Sequence, residues 1–309
     1  MTEKTLGAGV WMLRARDGRL RLGWRLLVYV VVAGGVSVLV GGLLPRGIVG
    51  ASVAVLAGGL AGGWVGMAME GRRPAELGLR PHGAPGAFLG GVGIGLGLTA
   101  GTVGLMALVG GLSWVPAPGG VTAWARLGAE TAMLLLVPAL AEEVLIRGYP
   151  LQALASAWGA PAALGVTGLV FGAGHLSNPG VTPLAAVNVT LAGILLGILV
   201  LRTGTLWGAV GAHLGWNWGV AFLAGVPVSG IVLREPALFR GVPRGPGWLG
   251  GGEFGPEGSV AATVVWCGVA VWAWRSPRLR PAVAPWWLKE KTDPERIGPG
   301  MDREEERKP

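Results

Sequence analysis

Two adjacent glutamates, Glu142 and Glu143, stand in an otherwise apolar stretch, with Arg147 shortly after them. Two of the chain's three histidines, His175 and His213, also fall in apolar stretches, and Asn217 follows His213 on the same segment. Ionisable side chains inside membrane spans are costly and mark function. A carboxylate and an imidazole can hold a water between them, the carboxylate taking its proton as the oxygen attacks a peptide carbonyl. An imidazole N–H and an amide N–H can then stabilise the tetrahedral oxyanion. The first pair of roles falls to Glu142 and His175. His213 and Asn217, one helical turn apart and so on one face, take the second. Glu143 and Arg147 have the same spacing and form a supporting ion pair. Glu142 is rotated by about 100° from Glu143 and is the less neutralised carboxylate.

These residues need elements to carry them. The chain is 51% apolar and only 14% charged, and it contains 58 glycines. A soluble fold so rich in glycine would lose heavily in backbone entropy, whereas membrane helices use glycine for close contacts. A spanning helix needs about 20 apolar residues. Uncharged runs then predict an all-α, polytopic membrane bundle of about eight transmembrane helices. These are Leu26–Leu44, Gly47–Met69, Ala87–Val109, a fourth from Leu127 through Glu142 and Glu143, Pro161–Gly174, Leu184–Leu201, Thr205–Leu223 and Val260–Trp274. Trp158 to Pro161 reads as a turn between the fourth and fifth. Glu142 and His175 are equally far from it, so antiparallel helices would bring them to one depth, about 24 Å away. Pro138 and Pro150 are candidate kinks.

The net charge of +8 gathers beside the spans. Arg14, Arg16, Arg19, Arg21 and Arg25 precede the first helix, and Arg275, Arg278, Arg280, Lys289 and Lys291 follow the last. The positive-inside rule explains them with the N-terminus in the cytoplasm, which leaves no case for a nucleic-acid partner. The organisation is a basic N-terminal segment (1–25), a transmembrane domain (26–274) and a cytoplasmic, disordered tail (275–309). The loop 227–258 falls on the outer side, where Glu235, Glu253 and Glu257 accompany its arginines. Gly93, Gly97 and Gly101 suggest a packing face, and Trp286 and Trp287 interfacial anchors. Trp207, Trp216 and Trp218 are candidates for a substrate groove. Asn188 heads a glycosylation sequon that reads as chance. Cys267 is the only cysteine, so no internal disulfide forms.

Three motifs now stand in order: EExxxR at Glu142–Arg147, FxxxH at Phe171–His175 and HxxxN at His213–Asn217. Together they resemble the CPBP family, which includes type II CAAX prenyl endopeptidases and bacterial relatives linked to bacteriocin self-immunity. The resemblance covers roughly residues 126–224 (the motif core). It implies eight spans and a glutamate-dependent endopeptidase, with Glu142 and His175 activating water, His213 and Asn217 binding the oxyanion, and Glu143 and Arg147 supporting the site. No cofactor is required. A zinc ion held by Glu142, His175 and His213 is the alternative, disfavoured because no HExxH pair exists. The expected partners are the lipid bilayer and a peptide, lipid-anchored or membrane-protein substrate. The glycine- and arginine-rich composition suggests a bacterial cytoplasmic membrane. A proton-coupled transporter and a non-proteolytic scaffold or immunity protein are the competing readings.

Overall fold

The computed structural model describes residues 20–236, 238–279 and 285–287. Helices form in all eight predicted segments. Four of them are long and apolar enough to cross a membrane unaided: α1 (Leu22–Gly41), α2 (Ile48–Met69), α3 (Ala84–Leu108) and α7 (Pro183–Thr203). Their outward side chains are apolar, as Val31, Val38 and Leu39 on α1 illustrate. Such a surface suits lipid and suggests an integral membrane protein.

The other four segments depart from the expected eight spans. The fourth, α4 (Val121–Glu143), carries Arg126, Glu130 and the acidic pair. It widens into a π-helical turn at Val144–Gly148 and continues as α5 (Tyr149–Trp158). Gly159, at φ 88°, makes the turn into α6 (Ala160–Ala173). At 1.5 Å per residue, α6 is only about 21 Å long. α8 (Trp207–Trp218) ends in a second π-helical stretch, Gly219–Ala224, and α9 is Val260–Arg275.

The all-α expectation also needs correcting. Between α3 and α4 lies β1 (Leu112–Pro116), paired antiparallel with β2 (Phe239–Pro243). Both strands belong to connections outside the helices, where the backbone must find hydrogen-bond partners from elsewhere in the chain. They tie the loop before α9 to the end of α3.

Glycine packing decides the centre of the bundle, but of the three glycines expected to pack only Gly101 meets another helix, at Val265 of α9. Gly93 and Gly97 are exposed and open to space. The contact runs two residues away, where Gly91 and Gly95 lie against Gly208, Ala212 and Trp216 of α8, and Gly211 and Gly215 lie against α3 in return. A methyl group at Gly91 or Gly211 would collide with the facing backbone carbonyl. Both glycine sets repeat every four residues, and only the partner helix selects between them. Trp286 and Trp287 are likewise not interfacial anchors. Each is 3% exposed, and the Trp286 indole N–H donates to Gln152 (2.8 Å) beneath the Arg72 guanidinium. Arg14, Arg16 and Arg19, together with the tail beyond Trp287, lie outside the described residues.

Candidate active site

Pro138 sits one helical turn before Glu142 and has no N–H to give the ladder. The π-helical turn begins directly after Glu143. Such local widening recurs at functional sites because it re-aims side chains. Here the two carboxylates diverge. Glu143 is fully buried, while the Glu142 side chain is 35% exposed and faces a cavity of about 450 Å³.

Glu143 is the hub of the buried side. Its Oε1 accepts from Arg147 Nη1 at 3.2 Å and from His213 Nδ1 at 3.0 Å. Arg147 also donates to the Gly193 carbonyl on α7 (3.0 Å), and its guanidinium lies 4.2 Å from the centre of the Phe171 ring. The contact needs glycine at 193, where a Cβ would come within 3.2 Å of Arg147 Nη2 and 2.9 Å of the Gly168 Cα. The Glu143–Arg147 pair was expected. The bond from Glu143 to His213 was not, because spacing along one helix says nothing about a residue on another.

The two histidines are each fixed through Nδ1. His175 donates Nδ1–H to the Phe171 carbonyl one turn earlier, at 2.8 Å. A carbonyl can only accept, so the neutral ring keeps Nε2 as an acceptor. His213 gives Nδ1–H to Glu143, and its Nε2 is 3.9 Å from Glu142 Oε2. The Phe171 ring packs against both imidazoles, at 4.8 and 5.9 Å between centres.

Glu142, His175, His213 and Asn217 all line the one cavity, although they come from three separated segments. Trp216 also lines it, whereas Trp207 and Trp218 spend their indole N–H groups on Arg80 and Gly128 carbonyls. Apolar side chains complete the wall, among them Val55, Leu135, Ile146, Val170 and Leu196. Among the described residues, no three His, Cys, Asp or Glu side chains are grouped so as to hold a metal ion.

Residues 124–219 match the family model described as type II CAAX prenyl endopeptidase Rce1-like. The match is to the same family that the three motifs resemble. The matched stretch contains all three motifs and less than half of the chain. Comparison with curated proteins and with solved structures finds no match.

One ionisable residue of the cavity lies outside both the matched stretch and the expected site. Glu257, placed by the sequence among the charges of the outer loop, is 2% exposed and lines the cavity. It sits in the loop just before α9, and burial pushes its carboxyl up to about 7. Phe254-Gly255-Pro256 before it and Gly258 after it were the available signal, an uncharged and compact immediate setting for an acid. Asn188 is fully buried as well. Its amide donates to the Glu257 and Ser259 carbonyls (2.7 and 2.9 Å), so the sequon is closed to modification.

Proposed function

We propose that this chain is an intramembrane endopeptidase that hydrolyses a peptide bond with a water activated by Glu142 and His175. The observation that carries the reading is the convergence of Glu142, His175, His213 and Asn217 on one cavity. A water there has two acceptors, the Glu142 carboxylate and His175 Nε2. With both protons engaged, its oxygen lone pair is free to attack the carbonyl carbon. Glu142 takes the proton as the C–O bond forms. The oxyanion accepts from the Asn217 amide and from His213 Nε2–H. Because Nδ1–H of His213 is committed to Glu143, donation from Nε2 requires the imidazolium, with Glu143 as its counter-ion 3.0 Å away. Collapse of the intermediate breaks the C–N bond, and Glu142 returns its proton to the leaving amine.

The apolar wall favours a substrate with hydrophobic side chains or an attached lipid, drawn from a membrane-associated or lipid-anchored protein. The charge distribution favours an N-terminus in the cytoplasm, and the glycine- and arginine-rich composition favours a bacterial membrane. The test is cleavage of a panel of fluorogenic peptides, with and without a lipid group, by detergent-purified protein. Wild type is compared with Glu142→Gln and Asn217→Ala, each with and without a chelator. The reading expects cleavage that Glu142→Gln abolishes and chelation leaves intact. Loss on chelation with recovery on zinc would establish a metal enzyme instead. Undiminished cleavage by Glu142→Gln would remove the proposed mechanism.

A further inference from the structure

The cavity has a wall that the three motifs do not supply. Val228 and Ile231 pair in both directions, Val228 N to Ile231 O at 3.0 Å and Ile231 N to Val228 O at 2.8 Å. The two residues between them are Ser229 at φ 46° and Gly230 at φ 81°. Positive φ at both central positions defines a tight hairpin turn that prefers Asn, Asp or Gly. Ser229 is the only non-glycine residue with positive φ among the described residues. Strain of this kind persists only where the surroundings over-determine it, and it gathers at ligand clamps.

Here the surroundings are specific. Ser229 N–H and Ser229 Oγ–H both donate to Glu257 Oε1, each at 3.3 Å. Asn178 donates to the Ser229 carbonyl at 2.9 Å, and Gly230 N–H donates to the Phe254 carbonyl at 2.8 Å. The same Glu257 oxygen accepts from the indole N–H of Trp216 at 3.1 Å. Trp216 lies on α8 between His213 and Asn217, so one carboxylate oxygen joins the strained turn to the helix bearing both oxyanion donors. The Glu257 Oε2 has no hydrogen-bond partner. A buried acid whose partners are the neutral Trp216 and Ser229 is poorly explained by stability alone.

We propose that Glu257 is a positioning residue. Its carboxylate fixes the Val228–Ile231 turn and Trp216 as one wall of the reaction cavity and so sets how tightly substrate is held. The role in substrate binding rests on the peptidase reading above; the clamping of the turn does not.

The experiment therefore has two arms, run on full-length protein in micelles with Glu257→Ala, Glu257→Gln and Ser229→Gly. The first arm is hydrogen exchange across residues 226–232, which needs no substrate. Losing the bond to the Ser229 amide should speed exchange there about tenfold in Glu257→Ala. Exchange in α1 and α2 should stay unchanged, and Glu257→Gln, which retains an acceptor oxygen, should fall between. The second arm is peptide cleavage, where KM should rise several-fold in Glu257→Ala with kcat within about twofold, the signature of lost binding. Ser229→Gly keeps the amide bond and relieves the strain, so it should stay near wild type in the first arm. Unchanged exchange at 226–232 in both Glu257 variants would overturn the clamp, as would acceleration spread evenly over all helices. A collapse of kcat at constant KM would overturn the positioning role. Should wild type cleave nothing, the peptidase reading fails while the exchange result still decides the clamp.

Discussion

Replacing Glu143 with alanine should destabilise the fold far more than any change at Glu142. Arg147 is fully buried and would keep only the Gly193 carbonyl and the Phe171 face, while His213 Nδ1 would lose its acceptor. Removing one partner of a buried ion pair costs about 3–5 kcal/mol, because the other charge is stranded. Arg147→Met leaves Glu143 with His213 as its remaining hydrogen-bond partner and should cost about 1–3 kcal/mol. The double variant buries no uncompensated charge, so its cost should fall short of the sum by about 1–3 kcal/mol. Glu142→Gln is the contrast. Its carboxylate lies 3.9 Å from His213 and its buried Oε2 has no hydrogen-bond partner, so unfolding should move by no more than about 1 kcal/mol. The assay is reversible unfolding in mixed micelles, read as a double-mutant cycle. Strictly additive costs for Glu143→Ala and Arg147→Met would refute the claim that they form one buried unit. Equal losses at Glu142 and Glu143 would refute the division of labour between the two carboxylates.

Three further outcomes rest on the same packing and hydrogen bonds. Gly91→Ala forces a methyl into the Gly208 carbonyl and should lose about 1–3 kcal/mol, whereas Gly93→Ala meets open space and should be neutral or slightly stabilising in the same unfolding assay. Asn188→Ala leaves the Glu257 and Ser259 carbonyls without their donor. It should cost about 1–3 kcal/mol, with loosening centred on the loop before α9 by hydrogen exchange. Glu257 makes stability depend on pH. Burial raises its folded value from 4.5 to about 7, so the folded state binds the proton more tightly. The associated stability is complete below pH 4.5 and is lost as pH rises through 7. The difference is roughly 3 kcal/mol at most, and Glu257→Gln should flatten that part of the unfolding profile.

The sequence by itself determined the apolar helices, the turn at Gly159, and which polar side chains stand where polar groups are expensive. Those are local properties, set by hydropathy and by residues such as Pro161 that act on their own neighbourhood. It also carried the Glu143–Arg147 pair, since side chains one helical turn apart meet whatever the rest of the chain does. The tertiary structure alone decided what lay between elements. Gly91 and Gly95, rather than Gly93 and Gly97, face α8 because the register of two helices is not written in either of them. The bond from Glu143 to His213 joins residues 70 positions apart. Glu257 reads as one more charge of the outer loop until the chain folds back and buries it beside Trp216. The β1–β2 pairing arises in the same way, from two connections that only the assembled helices bring together.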